Sequence, residues 1–593
     1  MAYGVEPTAE RAGAEPAVNA PAVGGRWRFE RGSGTTVVVV ALAIVLGVLV
    51  LPPLWFLLQG SVTVAGRGVA NRLALDNYAG LVSQRGFLQS ALNSLVFAVG
   101  SAIVALVIGG VNAWIAERTN APFRPLAYLT TIISLGTPYV LYVGAWLLLL
   151  NRSGPINQLW RDLTGQSGVL IDVYSQFGMI MIEGLLWSPF VFLLLGAIFR
   201  NANLDYEDAA RMCGAGLASM LARITLPLSL PAITALALLV FIRALEAFEV
   251  PALVGRPGTV YVLTTDIYEA MNVRSPPDLG RASALSVLLL IVVSLLLYAY
   301  SRLLRNAERY ATITGRGYRP RIIDLGRWRA LAGGLIIANF LALLVLPASI
   351  LIWASLLPFY QSFRWSGLAL LSLANYRAVL TTPGYIDLLA NTFIVAALSA
   401  TLVMAMTALT AWLTVRKVRG AWLLDQLAMM PLVFPGIVLA VGVMQFFLAV
   451  PVGIYGTIYI IAWALVINYL PYGTRYSTSG MLLIHRELEE AAAISGAGQL
   501  TAFRRIVWPL LAPSLLAGWL FVFLLASRVL SIPILLSGPS SQTMAVAMFD
   551  LWSNGQTPEL AALGLIWTGL MTVIAIAFHT IAQRTGGGIH GTG

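Results

Sequence analysis

Long apolar stretches separated by short polar loops dominate the chain after its first 34 residues. A stretch of about 20 apolar residues is long enough to cross a bilayer as a helix. The pattern predicts twelve such spans, near residues 36–58, 89–115, 126–150, 179–199, 229–248, 283–303, 330–356, 389–414, 425–448, 454–470, 511–530 and 560–582. It therefore predicts an all-α polytopic membrane protein.

The second half of the sequence repeats the first. The stretch "LDNYAGLVSQRGFLQSALNSLVFA" (75–98) matches "LANYRAVLTTPGYIDLLANTFIVA" (373–396) at an offset of 298 residues. Farther along, Pro189 and Pro471 recur at an offset of 282, so the first half holds an extra segment, which we assign to residues 151–168. Each half has six predicted spans, an even number, so the two halves should form parallel repeats about an axis along the membrane normal.

Composition and charge support this interpretation and orient the chain. Hydrophobic residues make up 58% of the sequence and charged residues 11%, against about 25% charged in a soluble domain. About two thirds of the 37 lysines and arginines fall in the N-terminal tail, in the loops predicted to lie on the same side of the membrane as that tail, and at the C-terminus. Because basic residues accumulate on cytoplasmic loops, both termini are predicted to lie inside. The net charge of +11 then reflects topology, and no nucleic-acid partner is expected.

The same pattern divides the chain into segments. Residues 1–34 lack the apolar core of a signal peptide and are predicted to be a disordered cytoplasmic tail. Residues 35–304 form the first half and 330–584 the second, joined by a basic cytoplasmic linker at 305–329. Residues 585–593 are predicted to be a flexible C-terminal tail.

One polar, glycine-containing loop occurs in both halves, as "DAARMCGAGLASMLARITLPLSLP" (208–231) and "EAAAISGAGQLTAFRRIVWPLLAP" (490–513). In the second copy, acids at the start of a predicted helix favour its positive dipole end. Ala492 and Gly496 share a helix face that another backbone could approach closely. The pair Gly496 and Gly498 permits a sharp turn, after which a second short helix is predicted to end at Pro509, and at Pro227 in the first copy.

The segments "EAAAISG" and "DAARMCG" resemble the EAA loop of permease subunits in binding-protein-dependent ABC importers. The resemblance implies a type I importer permease fold, and a coupling helix in each loop (205–227 and 487–509) that docks into a groove of a cytoplasmic ATPase subunit. By that resemblance the coupling positions are Glu207, Asp208, Ala209, Ala210, Gly214, Glu489, Glu490, Ala491, Ala492 and Gly496.

The resemblance also implies the partners and the location of the chain. Two copies of an ATPase subunit, which would bind ATP and Mg, and an extracytoplasmic solute-binding protein are the expected partners. The chain itself is expected to carry no cofactor and to lie in the bacterial inner membrane. It would move solute inward by alternating access.

Three further stretches are similar to fused permeases of iron(III) importers: residues 241–255, 308–329 and 537–555. Iron(III) is therefore the preferred solute. Related permeases carry thiamine, phosphonates, sulfate or polyamines, so these solutes stay open as alternatives.

Several ionisable side chains fall within or near predicted spans, where they are costly and mark either a pathway or a buried pair. They are Glu183, Arg243, Glu246, Glu249 and Arg528. Glu246 and Arg528 correspond at the offset of 282, so an ion pair between the halves is one alternative to a translocation path. Tyr139 and Tyr142, beside Pro138, either line the passage or only pack.

Other functional classes find little support. No metal site is predicted, because His485, His579 and His590 lie at cytoplasmic or terminal positions and Cys213 is the single cysteine. The sole lysine, Lys417, lies in "VRKVRG", so the chain lacks a Walker-type nucleotide site and is not expected to be an enzyme. A channel or secondary transporter is the remaining alternative, but it would have no use for two matching docking loops.

Overall fold

The computed structural model describes residues 33–66, 69–83, 85–201, 205–308 and 322–586, and most of them are helical. The first-half helices are α1 (Ser33–Val62), α2 (Asp76–Ser83), α3 (Arg85–Arg118), α4 (Arg124–Gly136), α5 (Tyr139–Leu150), α6 (Pro155–Thr164), α7 (Gln176–Asn201), α8 (Asp205–Met212), α9 (Leu217–Met220), α10 (Leu226–Leu245), α11 (Leu263–Asn272) and α12 (Leu279–Glu308). An antiparallel hairpin of β1 (Thr63–Gly66) and β2 (Val69–Leu73) follows α1.

The second-half helices are α13 (Arg329–Phe340), α14 (Leu346–Ser355), α15 (Ala374–Thr381), α16 (Pro383–Val415), α17 (Ala421–Met429), α18 (Gly436–Ala449), α19 (Ile458–Leu482), α20 (Glu487–Ile494), α21 (Gln499–Ala502), α22 (Trp508–Arg528), α23 (Pro533–Leu536), α24 (Met544–Ser553) and α25 (Thr557–Gly586). Most of the predicted N-terminal tail, of the predicted linker and of the predicted C-terminal tail lies outside the described residues.

Within the described residues, nine helical runs are long and apolar enough to cross a membrane, and two bent helix pairs raise this number to eleven. The predicted spans at 126–150 and 425–448 are these bent pairs rather than straight helices. The chain turns by 114° between α4 and α5, and by 111° between the α17 run and α18. The breaks fall at Pro138 and Pro435, because the residue before a proline is driven out of the helical conformation; Thr137 and Phe434 are both extended.

The tenth predicted span corresponds to α19, a helix of 25 residues. It packs against both α16 and α22. Asn468 and Arg475 lower its apolar character, which explains why it is the one predicted span missing from the eleven.

The repeat seen in the sequence is also a repeat of helices. Helices α2 and α15 begin 298 residues apart, whereas α7 and α19, and α8 and α20, begin 282 apart. Helix α6 lies inside the segment assigned as extra, and no helix separates α18 from α19 in the second half. Apart from the small hairpin, the predicted fold class, an all-α polytopic protein with two parallel six-helix repeats, is confirmed.

The first helix of each half packs against the other half. Helix α1 contacts α17 and α18, and α13 contacts α3 and α4. Ala332 and Ile336 of α13 are buried in the same apolar cluster as Ile115 of α3 and Phe199 of α7. The two halves are therefore interlocked.

Within the first half, helices α3 and α7 approach closely at Gly109, where an added Cβ would lie 2.5 Å from the carbonyl oxygen of Ser188.

Candidate functional site

The repeated loop has the same geometry in both halves. Helices α8 and α20 are each followed by a glycine in the left-handed conformation, Gly214 with φ of 81° and Gly496 with φ of 83°. A side chain at φ of this sign is strained whatever space surrounds it, which explains the glycine in both copies. The sharp turn predicted after each first helix is present.

The second short helix does not end at a proline, and that prediction is wrong for both copies. Helix α21 continues through a π-helical turn, Phe503–Val507, into the membrane span α22. The first copy does the same through Leu221–Thr225 into α10. In the π turn the backbone N–H of Trp508 donates to the carbonyl of Phe503, five residues back. This wider turn accommodates Pro509, which has no N–H to donate to an α-helical ladder.

A buried ion pair anchors each loop to its own half. Arg416, at the end of α16, binds Glu489 with an N···O distance of 2.6 Å, and both side chains are less than a tenth exposed. The other Glu489 oxygen accepts a hydrogen bond of 2.9 Å from Trp412 Nε1, and Arg416 also donates to the carbonyl of Ile484. The two contacts of Glu489 hold α20 against the end of α16, and the contact with Ile484 holds the segment between α19 and α20.

The first half repeats this anchor. Arg118 pairs with Glu207, and both side chains are buried. The hydroxyl of Thr225 donates to Glu207 at 2.8 Å, and Arg118 donates to the carbonyl of Phe199. Glu207 and Glu489 were predicted as coupling positions. Their carboxylates face the protein interior, so they hold the loops in position rather than offer a contact surface.

The other coupling positions whose side chains the structure describes lie at the surface of the loops or are half-buried there. Ala209, Gly214, Ala491 and Gly496 are exposed, and Ala210, Glu490 and Ala492 are half-buried. The Asp208 side chain lies outside the described part of the chain. Glu490 pairs with Arg486 at 3.0 Å on the surface. Met212 is 90% exposed and Ile494 79%, so each loop presents an apolar tip that the sequence analysis did not single out.

A second candidate site lies where α10 and α22 end inside the protein. Helix α10 ends at Leu245 and α22 at Arg528, and the chain is irregular for a few residues after each. Irregular backbone at membrane depth is tolerated only inside protein or beside a cavity, and such breaks commonly mark transport sites. We name the side chains gathered here the central cluster: Tyr139, Glu183, Arg243, Glu246, Glu249 and Arg528.

Two contacts of the central cluster join the halves. The Arg528 guanidinium lies 4.6 Å from the centre of the Tyr139 ring and donates to its hydroxyl at 3.1 Å. The backbone N–H of Leu530 donates to Glu249 at 3.3 Å. The N–H freed by the break after α22 is therefore bound by a carboxylate of the first half.

The other members are bound within the first half. Glu246 pairs with Arg243 at 2.8 Å, so its partner is a residue of its own half, three positions earlier. Glu183 accepts a hydrogen bond of 2.9 Å from Trp187. All three acids come from the first half, because the matching positions in the second half are Leu465, Arg528 and Ser531. Tyr142 is buried in α5.

Sequence reasoning found every acid of the central cluster but missed the anchoring arginines. Arg118 and Arg416 recur at the offset of 298 that relates their helices, so the repeat itself held the signal. Among the described residues, no group of three or more His, Cys, Asp or Glu side chains could hold a metal ion.

The chain matches known proteins across most of its length. Residues 105–309 match the family described as "Binding-protein-dependent transport system inner membrane component". The ferric transport system permease protein FbpB of Actinobacillus pleuropneumoniae is 28% identical over 515 residues, which cover 84% of this chain and 72% of the relative. The spermidine/putrescine transport system permease protein PotB of Escherichia coli is 29% identical over 228 residues, which cover 38% of this chain and 82% of the relative.

Two solved structures of a bacterial alginate ABC transporter also match part of the chain. One, in complex with an alginate pentasaccharide-bound periplasmic protein, has a TM-score of 0.34 at 21% identity and covers 40% of this chain and 84% of its own. The other has a TM-score of 0.35 at 17% identity and covers 44% of this chain and 96% of its own.

Proposed function

We propose that this chain is the permease of a binding-protein-dependent ABC importer, and that its solute is iron(III), received from an extracytoplasmic binding protein and moved inward by alternating access. The observation that carries the proposal is the extent of the match to the ferric permease, which includes both halves, 84% of the chain. The polyamine permease matches over 38%, about the length of one half. A polyamine is therefore the second candidate.

The net charge of the central cluster favours a cationic solute of either kind, although its three acids do not form a metal-binding group. Three carboxylates and two guanidinium groups leave it with one excess negative charge when all are ionised. A cation that reaches the cluster would meet the three acids and Arg243 on the first-half side and Arg528 on the other. The two inter-half contacts, Arg528 with Tyr139 and Leu530 with Glu249, would have to part for a passage to open between the halves. A ligand shifts such an equilibrium only by its preference for one state, so the loaded binding protein, like ATP, must favour one of the two states over the other.

We propose that the apolar tips at Met212 and Ile494 enter grooves of two ATPase subunits on the cytoplasmic side. Exposed apolar side chains of this size at matching positions fit the helix-in-groove mode of recognition. The anchors support this role, because a loop that transmits force must be held firmly at its other end. Both termini would then lie inside the cell, in agreement with the charge distribution.

The binding protein would dock at the opposite end of the bundle. A cavity of about 780 Å³ lies there between the halves. Residues 151–153, Asp172, Tyr174 and residues 257–259 of the first half line it, together with residues 360–362 of the second. Residues 151–153 belong to the extra segment, so the docking face differs between the halves and would favour one orientation of the binding protein.

Reconstitution into proteoliposomes tests the solute. The chain would be combined with the ATPase and the binding protein encoded beside it, and uptake of radioactive iron(III) citrate and of radioactive putrescine would be measured with and without ATP. ATP-dependent iron uptake that needs the binding protein supports the proposal. ATP-dependent putrescine uptake without iron uptake would replace iron by a polyamine.

The ATPase contact is tested separately by copurification. Gly496→Glu and Gly214→Glu introduce both strain and charge into the loop turns and should abolish ATPase assembly or transport, while the chain still inserts in the membrane. Unchanged assembly and uptake in both variants would refute the docking role of the loops.

A further inference from the structure

The end of the linker between the halves is bound directly to the anchor of the first loop. The backbone N–H of Ile323 donates to the carbonyl of Arg118 at 2.8 Å, and the N–H of Asn120 donates to the carbonyl of Ile323 at 3.0 Å. Thr119 and Ile323 thus form a short parallel β-bridge. Arg118 is the residue whose side chain holds Glu207. The backbone of Arg118 therefore binds the end of the linker, while its side chain binds the first loop.

Asn120 extends this contact with its side-chain amide. Its Nδ2 donates to Asp324 Oδ1 at 2.6 Å, and its Oδ1 accepts the backbone N–H of Leu325 at 3.1 Å. Asp324 also accepts the N–H of Gly326 at 3.0 Å. The Gly326 N–H and the Asn120 amide together hold the pKa of the Asp324 carboxyl below its ordinary value. We name these six residues, 118–120 and 323–325, the clasp.

The clasp leads without a break into the first helix of the second half. Gly326 opens the helical run that spans to Ser355. That run lies tightly against the first half, since a Cβ added at Gly333 would lie 2.5 Å from the Pro122 ring. Ile323 and Leu325 are buried in the cluster that also contains Met220 of the first loop. Loop, anchor, clasp and helix therefore form one continuous packed body.

The second loop has no such connection among the described residues. At the matching end of α16, the N–H groups of Lys417 and Val418 bond back to Thr414 and Leu413 of their own helix. Val418 stands where the offset of 298 aligns Asn120. The two loops are alike in sequence and in their anchoring ion pairs. Among the described residues, however, only the anchor of the first loop is hydrogen-bonded to the segment that leads into the other half.

We propose that the clasp makes the first loop drive both halves, by passing its movement to the start of the second half, and that Asn120 is the positioning residue of this connection. The inference rests on the proposed function, because it presumes an ATPase that moves the loop. Coupling in a two-state system requires a physical element that both sites bias. The clasp is such an element, and it consists of hydrogen bonds rather than of a flexible tether.

The test measures transport per ATP in proteoliposomes of the complete complex. Asn120→Asp sets two carboxylates against each other and should lower the ratio of solute uptake to ATP hydrolysis by about fivefold or more, the lower end of typical allosteric coupling. Val418→Asp is the matched control in the second half and should change the ratio far less. The double variant Asn120→Asp with Asp324→Asn restores a donor opposite an acceptor and should recover the ratio.

A cross-link distinguishes transmission from simple packing. In a Cys213→Ser background, Asn120→Cys and Asp324→Cys would be joined by a short thiol-reactive bridge. The ratio of solute uptake to ATP hydrolysis should be low before cross-linking, because both clasp side chains are replaced, and should recover once the bridge joins the two positions. Loss of uptake on cross-linking, an unchanged ratio in Asn120→Asp, or no recovery in the double variant would each overturn the inference. If instead the unsubstituted complex shows no ATP-driven uptake, the proposed function fails before the clasp is tested.

Discussion

The Arg416–Glu489 anchor gives a quantitative test of how the second loop is held. Substitution of Arg416 by methionine removes a buried guanidinium and leaves the buried Glu489 carboxylate with Trp412 as its remaining side-chain hydrogen-bond donor. Loss of one partner of a buried ion pair costs about 3–5 kcal/mol. Since about 1.4 kcal/mol corresponds to a factor of ten, the equilibrium constant for opening of the loop should rise by roughly two to three and a half powers of ten.

Hydrogen exchange of the α20 amides measures this opening in detergent or nanodiscs. Arg486→Met is the matched control, because Arg486, directly before α20, binds Glu490 on the surface of that helix, with both side chains about two-fifths exposed. An exposed pair of this spacing contributes about 0.3–0.5 kcal/mol, so exchange should rise by about twofold at most. The double variant Arg416→Met with Glu489→Leu removes both charges together, and should exchange more slowly than Arg416→Met alone.

Two results would refute the reasoning. One is an equal effect of Arg416→Met and Arg486→Met, which would mean that the buried pair does not hold the loop. The other is a double variant at least as open as the single one, which would show that the loss of packing, and not the unpaired charge, governs the opening.

Three further variants test the loops and the central cluster. Gly496→Ala should destabilise the loop turn by about 1–2 kcal/mol, because the backbone there is left-handed, and should weaken ATPase copurification. Gly498→Ala should have neither effect, because Gly498 has a φ of −69° and open space around it. Equal copurification of the two variants would contradict this. Ile494→Asp should reduce copurification without lowering the unfolding temperature of the chain itself, because the side chain is exposed; a large drop in that temperature would show that the tip packs inside the protein. Tyr139→Phe keeps the ring beneath Arg528 but removes a hydrogen bond to a charged group, worth about 1.5–3 kcal/mol; a change in the uptake rate relative to the parent chain is expected, and an identical rate would exclude this contact from the transport cycle.

Local pattern determined much of this protein. Apolar stretches predict the helices because a helix satisfies its own backbone in a membrane, whatever its neighbours. The doubled loop, its first helix and its glycine turn also follow from neighbouring residues, since Gly496 needs no distant contact to require a positive φ. The bends at Pro138 and Pro435 carried a local signal as well, but an apolar stretch alone could not show whether a proline bends a span or is tolerated within it, as Pro471 is in α19.

Tertiary structure decided which side chains meet. Arg118 pairs with Glu207 across 89 positions, Asn120 with Asp324 across 204, and Arg528 with Tyr139 across 389. The repeat suggested Glu246 as a partner of Arg528, but Arg243 lies one helical turn from Glu246 and binds it instead. Partners so far apart are selected by how whole helices pack, and a buried charge takes whichever counter-charge that packing brings within reach. For this reason the sequence by itself defined the elements and the loops, whereas the anchors, the central cluster and the clasp exist only in the folded chain.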